Sequence, residues 1–306
     1  MTNRVLVTGA TGFLGQALCR VLRSQGTLLR LYCRRQPVEV HDSDEVIEGG
    51  DLSETSMKVS ALDGVQCIVH LAAKEVRGNT RYDVQDSPTL KIARHVADAA
   101  SRSDVRRILV VSSIAAQHAE RNPEDARRYG LENLAAEQAF KDILSADKNL
   151  VILRPPAIYG AGMSGALATL SKLIDKGVPI PLGLAKTKRP YIALDNLTDL
   201  LGQIVSANQA QWSALSSSPL ACCDPEHVDT ASLVRMMARV KNRPSRLMPI
   251  PPAFLRAVGN LSGKSELVSG ALDAVECQNS AELQSVLGWA PAKSMPETLR
   301  FLQSSP

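Results

Sequence analysis

The chain has 306 residues, 44% apolar and 22% charged, enough to bury a substantial core in one large or two modest domains. Its formal charge of +4 comes with arginine pairs scattered along the chain and no dense basic run, which argues against a nucleic-acid partner. No apolar run approaches the roughly 20 residues of a membrane-spanning helix, so no integral membrane segment is expected.

The six cysteines show no Cys-x-x-Cys spacing and no histidine at metal-ligand distance. They read as reduced, mostly buried thiols rather than as a disulfide frame or a metal site, and a cytoplasmic protein is the expectation. The first residues run almost directly into a strand, so no signal peptide is expected.

Residues 4–8 (RVLVT) form a short apolar strand that ends in GATGFLG. Phe13, Leu14, Ala17, Leu18, Val21 and Leu22 then fall at helical spacing on one face, and Gly26 closes that helix. Further strands are expected at 28–33, 46–47, 65–71, 107–112 and 150–153. Helices are expected at about 90–100 and 130–145. Apolar strands alternating with amphipathic helices predict an α/β fold, a Rossmann-type doubly wound parallel sheet covered on both faces. Past Arg154-Pro155-Pro156 the alternation becomes irregular. Residues 1–160 are therefore expected to form a dinucleotide-binding domain, rejoined by a strand and helix near 189–207. Residues 161–306 are expected to form a smaller, mostly helical substrate lobe.

Gly9, Gly12 and Gly15 stand between the first strand and the first helix. There the first two permit a tight turn and close approach of a pyrophosphate. The third lets helix pack on strand, and the helix N-terminus supplies free N–H groups. Thr11, Phe13 and Leu14 complete the loop. At the end of the second strand Cys33 stands where an acid would bind the ribose diol of NAD, and Arg34-Arg35 follow. A guanidinium suits a 2′-phosphate better than a bare diol, so NADP is expected ahead of NAD; the competing reading is two solvated loop arginines. Asp51-Leu52, after the next strand, could hold the adenine or could be a plain turn.

GATGFLG, Asp51-Leu52, HLAA at 70–73, VVSS at 110–113, Tyr-Gly-Leu at 129–131 and LRPPAIYG at 153–160 occur in that order. This series resembles the extended short-chain dehydrogenase/reductases, specifically the nucleotide-sugar epimerases and reductases. The tail (PIPPAFLRAVGNLSGK, NSAELQSVLGWAPAKSMPETLRFL) resembles members acting on UDP-sugars in surface-polysaccharide synthesis. The resemblance implies a nucleotide-sugar substrate and a homodimer through the helices near 90–100 and 130–145. It implies cofactor contacts at Leu71, Ala72, Ala73 and Pro155, a diphosphate contact at Arg189, and Tyr129 as the proton-transferring phenol. Ser113 matches the hydroxyl that holds the sugar oxygen, although a one-residue shift of register would place Ile114 there.

Three departures from the family pattern stand out. The lysine expected four residues after the tyrosine is Asn133, which can hydrogen-bond a ribose but carries no charge. The segment 114–128 is short, charge-rich (HAERNPEDARR) and lacks an Asp-Pro lead-in, so an exposed loop is expected there. The asparagine usual before the helix at 90–100 is missing. An intact cofactor cradle with weakened or redirected chemistry follows, and a dinucleotide-binding regulatory protein is the alternative. His70 reads as a structural histidine, and the adjacent Cys222-Cys223 as core or loop residues.

Overall fold

The computed structural model of the chain describes residues 4–35, 40–74, 83–263 and 265–303. In chain order it gives β1 (Arg4–Thr8), α1 (Phe13–Ser24), β2 (Leu28–Cys33), β3 (Glu45–Glu48) and β4 (Cys67–His70). Then follow α2 (Pro88–Ser101), β5 (Arg107–Val111), α3 (Ile114–Arg121), α4 (Arg128–Ile143), β6 (Asn149–Arg154) and β7 (Ala157–Tyr159). The rest comprises α5 (Gly165–Asp175), β8 (Lys188–Arg189), β9 (Tyr191–Ala193), α6 (Leu194–Ser206), α7 (Gln209–Leu215) and β10 (Leu220–Ala221). After β11 (Val228–Asp229) come α8 (Thr230–Val240), α9 (Pro252–Leu261), α10 (Ser265–Leu272), α11 (Ala281–Leu287) and α12 (Met295–Thr298).

The chain divides into two compact units: residues 1–155, 198–222 and 279–290 in the first, and 156–197, 223–278 and 291–306 in the second. The first is built on a seven-stranded sheet of order β10-β6-β5-β4-β1-β2-β3, with every pair parallel. Residues such as Val5–Val7, Ile68-Val69 and Ile108-Leu109 are buried on both faces, which is why these strands read as unbroken apolar runs. The direction of winding reverses between β1 and β4, and the crevice at the C-terminal ends of strands on either side of such a point is where open α/β sheets bind ligands.

Alanines let the helices lie close on this sheet. Ala93, Ala97 and Ala100 of α2 and Ala136 of α4 are buried with Phe140 against Leu6, Ile68, Ile108 and Ile152. The second unit has two small two-stranded sheets, β7 with β9 (parallel) and β8 with β11 (antiparallel). Its core joins Tyr159 and Tyr191 to Leu233, Val234 and Met237 of α8. Asp224 ties it together by accepting hydrogen bonds from the Tyr159 hydroxyl (2.7 Å), the Ala193 N–H (3.0 Å) and Asn196 Nδ2 (2.8 Å). Among the described residues no helix is long and apolar enough to cross a membrane.

Candidate cofactor and active site

The β1–α1 turn sits at the reversal of the sheet. Gly9 has φ +74°, in the left-handed region, and a Cβ there would stand 2.9 Å from the Ala72 N–H and the Leu71 carbonyl carbon. Only glycine lets the turn after β1 press this closely on the turn after β4. A Cβ on Gly15 would fall 2.2 Å from the Gly9 carbonyl oxygen, so the third glycine is what allows α1 to start beside the strand. Gly12 donates to the Gly9 carbonyl (3.0 Å) and caps α1 without any side chain covering the free N–H groups. No acid lies in the first turn of α1, and Thr11 and Gly12 are exposed. These features suit a pyrophosphate at the head of α1: the N–H groups are open, the dipole favours an anion, and the backbone can approach closely.

Beyond β2, Arg34 and Arg35 are both exposed, and Arg34 lies 3.7 Å from Asp51 Oδ2. The backbone N–H and hydroxyl of Ser53 donate to Asp51 Oδ1 at 2.9 and 2.7 Å. Lys74 Nζ donates to Asp51 Oδ2 (2.9 Å) and to Ser53 Oγ (3.1 Å). Together the Ser53 bonds and the Lys74 ammonium hold the Asp51 carboxyl far below the usual carboxylate range. Asp51 is thus an ionised anchor with cations on its rim. Leu52 is buried, and its carbonyl oxygen lies 2.8 Å from the His95 Nδ1. Lys74 was not singled out from sequence, although its place immediately after HLAA, at the end of a strand, is a usable signal.

Helix α4 carries the second half of the site. Tyr129, Asn133 and Glu137 recur every four residues and share one face. Tyr129, the second residue of the helix, is 47% exposed, whereas Asn133 and Glu137 are buried. The Asn133 side chain turns back and donates from Nδ2 to the Tyr129 carbonyl oxygen at 2.7 Å. Glu137 receives three bonds from Arg154 at the end of β6, Nε to Oε1 at 2.9 Å and to Oε2 at 3.2 Å and Nη2 to Oε2 at 2.6 Å, and a fourth from the Ser112 hydroxyl. Arg154 also donates to Glu120 Oε2 at 2.7 Å, which holds that carboxyl below its ordinary range. This network pins α4 across the C-terminal ends of β5 and β6 and sets where Tyr129 emerges.

The segment expected to be an exposed loop is mostly a helix. α3 spans Ile114–Arg121, with Ile114, Ala116 and Ala119 buried, and only a single 3-10 turn (Pro123–Asp125) separates it from the approach to α4. These three buried apolar positions hide among the charges. A Cβ on Gly130 would lie 2.5 Å from the Ala115 carbonyl oxygen, so glycine next to Tyr129 is what lets α3 and α4 close together. Ser113 caps α3, its hydroxyl accepting from the Ala115 N–H at 3.2 Å. The adjacent Ile114 N–H donates to the Pro155 carbonyl (2.9 Å), which stitches the turn after β5 to the end of β6.

Thr11, Gly12, Phe13, Leu14, Leu71, Ala72 and Ala73 surround the sheet reversal, and Ser113, Tyr129, Asn133 and Pro155 lie in the same unit. Arg189 belongs to the second unit. Its Nη1 donates to the Asp273 carbonyl at 2.7 Å and to that of Ser269 at 3.5 Å, so it straps the end of α10. His70 is buried, shares a 2.8 Å hydrogen bond with Thr8 Oγ1 and packs on Phe140. All six cysteines are buried free thiols. The Cys223 sulfur lies 3.8 Å from His227 Nε2, a pairing not expected from sequence. A hydrogen bond from the Cys277 thiol, followed by His227, draws the Cys223 thiol down to about 6. No group of three ligand-type side chains among the described residues could hold a metal ion.

A parallel sheet with a glycine turn at its reversal and a Tyr-bearing helix over the neighbouring strands defines a Rossmann-type α/β fold of the dinucleotide-binding kind. Residues 5–214 match the sequence model of the NAD dependent epimerase/dehydratase family, and the chain belongs to that family, within the extended short-chain dehydrogenase/reductases. It is 27% identical to a UDP-glucose 4-epimerase of Vibrio cholerae over all of this chain and 97% of that one. It is 31% identical to a ceramide reductase of Caulobacter vibrioides over 84% of this chain and 76% of that one. Among solved structures, MoeE5 in complex with UDP-glucuronic acid and NAD superposes with a TM-score of 0.71 at 22% identity, covering 97% of this chain and 96% of that one.

Proposed function

We propose that the chain is a nicotinamide-dinucleotide-dependent enzyme of a UDP-linked sugar, using NADP ahead of NAD and working as a 4-keto reductase in preference to a freely reversing 4-epimerase. Placement in surface-polysaccharide synthesis rests on the likeness of the tail to enzymes of that kind. Gly9, Gly12, Gly15 and the head of α1 would hold the pyrophosphate, and Arg34 and Arg35 the 2′-phosphate. When bound, the cofactor supplies a hydride to the carbonyl carbon. Tyr129 would give its phenolic proton to the carbonyl oxygen, so that C=O becomes CH–OH, and the Ser113 hydroxyl would hold that oxygen. Arg189 would contact the diphosphate once its present carbonyl partners release it.

The observation that carries the direction of reaction is the Asn133 amide bonded to the Tyr129 carbonyl. Abstracting a hydroxyl proton needs a phenolate, and a free phenol titrates near ~10, so an adjacent ammonium is valuable for that step. Asn133 brings no charge. Donating a proton needs only the neutral phenol, so reduction suffers less from the replacement. The test is oxidation of NADPH by a UDP-4-keto-hexose, set beside interconversion of UDP-glucose and UDP-galactose, with wild type and Tyr129→Phe. Reduction faster than interconversion and lost in Tyr129→Phe fits the reading. Interconversion as fast as reduction overturns it.

The same residue supports a second reading, a dinucleotide-binding regulatory protein with little turnover. Tight NADPH binding with no turnover of any UDP-sugar, unchanged by Tyr129→Phe, would select it.

A further inference from the structure

Helix α9 is inside out for a globular protein. Phe254, Val258 and Leu261 fall within one arc at i, i+4 and i+7 and are 61, 44 and 91% exposed. On the opposite side Gly259 is the buried residue of the helix. A helix of a soluble domain normally turns its apolar stripe inward, and here the stripe faces out.

The stripe has company. Eight large apolar side chains are exposed among the described residues, and six of them (Val178, Leu184, Met248, Phe254, Val258 and Leu261) lie in two short stretches of the second unit. The Ile180 N–H donates to the Arg246 carbonyl (3.0 Å), Met248 to Ile180 (2.9 Å) and Gly183 to Met248 (2.9 Å). These bonds hold the stretch bearing Val178 and Leu184 against the segment that leads into α9. Scattered exposed apolar residues are ordinary; six concentrated on two joined segments mark an interaction surface.

Charge indicates what covers it. From residue 230 to 263 the sequence has six cations (Arg235, Arg239, Lys241, Arg243, Arg246, Arg256) and not one Asp or Glu. Lys241 and Arg256 are paired with Asp175 and Asp273, whereas Arg235, Arg239, Arg243 and Arg246 are exposed, and Arg246 Nη1 donates to the Gly177 carbonyl (2.8 Å) beside Val178. A two-fold contact between copies of this chain would set the surface against itself and face cation with cation. An anionic lipid surface meets both needs, taking the apolar stripe at the depth of the acyl boundary and the guanidinium groups at its headgroups.

We propose that α9 and the 178–184 and 246–248 segments dock the protein on the surface of a membrane containing anionic lipid, as a peripheral and reversible contact. The test is co-flotation of the full chain with vesicles of phosphatidylcholine plus phosphatidylglycerol, and with vesicles of phosphatidylcholine alone. Wild type should partition to the anionic vesicles, less so as salt is raised. The double variant Phe254→Glu/Leu261→Glu should partition about tenfold less or worse, since two apolar anchors are lost from the interface. Both substituted side chains are exposed, so the variant should keep its thermal melting point. Failure of wild type to float, equal flotation on neutral vesicles, or equal flotation of the variant would each overturn the proposal. So would a concentration-dependent dimer, seen by light scattering in wild type and absent in the variant, which would show a second copy to be the occupant.

Discussion

The side-chain amide of Asn133 is hydrogen-bonded to the main-chain carbonyl of Tyr129, one helical turn back, at 2.7 Å. The residue at the position of the family's lysine is therefore engaged with the backbone of its own helix. Asn133→Lys should lose that bond and place an ammonium beside the phenol. A gain of two or three units in phenol acidity would raise the phenolate fraction by roughly 10²–10³. The expected result is a gain of about ten- to a hundredfold in hydroxyl oxidation, a smaller change in carbonyl reduction, and an oxidation pH profile moved to lower pH. Rates measured in both directions across pH check this; equal change in both directions would mean that charge at residue 133 does not act through Tyr129.

The cations around Asp51 bear on cofactor choice. Lys74 is committed to Asp51 and Ser53, while the Arg34 side chain is 70% exposed and only 3.7 Å from the carboxylate. Arg34 can leave Asp51 for a 2′-phosphate at little cost. Charge-assisted hydrogen bonds to a phosphate contribute about 1.5–3 kcal/mol, so Arg34→Ala should weaken NADPH binding by about 10- to 100-fold and leave NADH almost unchanged. Calorimetric titration of each cofactor separates the two. Parallel loss for both would mean that Arg34 supports the loop rather than the phosphate.

Gly130 decides how closely α3 and α4 approach. A methyl group there meets the Ala115 carbonyl at 2.5 Å, and the obstacle is backbone rather than a side chain that can move aside. Gly130→Ala should cost about 1–3 kcal/mol of stability by overpacking and shift the start of α4, with Tyr129 on it. Turnover should fall further than dinucleotide affinity, because the glycine loop is built on other elements. A variant with normal turnover would show that α4 tolerates the displacement.

Much of the first unit was legible because its physics is local. The unbroken apolar runs, the helical spacing between them, the glycines at the β1–α1 turn and the order of motifs fix the parallel sheet and the position of Gly9, Tyr129 and Ser113. Where sequence reasoning fell short, the deciding contacts are distant in the chain. α3 reads as a loop in sequence because His118, Glu120 and Arg121 mask the spacing of Ile114, Ala116 and Ala119, the face packed toward α4. Lys74 meets Asp51 across 23 residues, and Cys223 meets Cys277 across 54. The hydrophobic stripe of α9 does not announce in sequence which way it faces; the exposure of Phe254, Val258 and Leu261 is visible only in the fold.

Glu137 and Arg154 form a buried ion pair that no water screens well, with side chains 1% and 4% exposed. Removing Glu137 leaves Arg154 with only the half-exposed Glu120 as a carboxylate partner, which puts the cost toward the low end of about 3–5 kcal/mol. Glu137→Ala should therefore destabilise the first unit by that amount, while Glu137→Leu/Arg154→Met together should recover much of it. Trp212 and Trp289, the chain's two tryptophans, both belong to this unit, so their fluorescence during denaturation reports its stability. A double variant no better than the single would show that Arg154 acts through packing instead.

His70 makes the first unit sensitive to acid. Its ring is buried between Thr8 and Phe140, and desolvation lowers it from 6.5 to about 4. The folded protein keeps the ring neutral where the unfolded chain already binds a proton. Stability from this group is complete above pH 6.5, falls as pH drops, and is gone below about 4. Linkage makes the total about 3 kcal/mol. Thr8 Oγ1 also accepts from the Ala72 N–H (3.4 Å), so a protonated ring would disturb the turn pressed on Gly9 as well as the core. Tryptophan-monitored denaturation of wild type should show stability declining between pH 6.5 and 4.5, and His70→Asn, which cannot titrate there, should flatten that slope. An unchanged slope in the variant would assign the acid sensitivity to the carboxylates of the ion-pair networks.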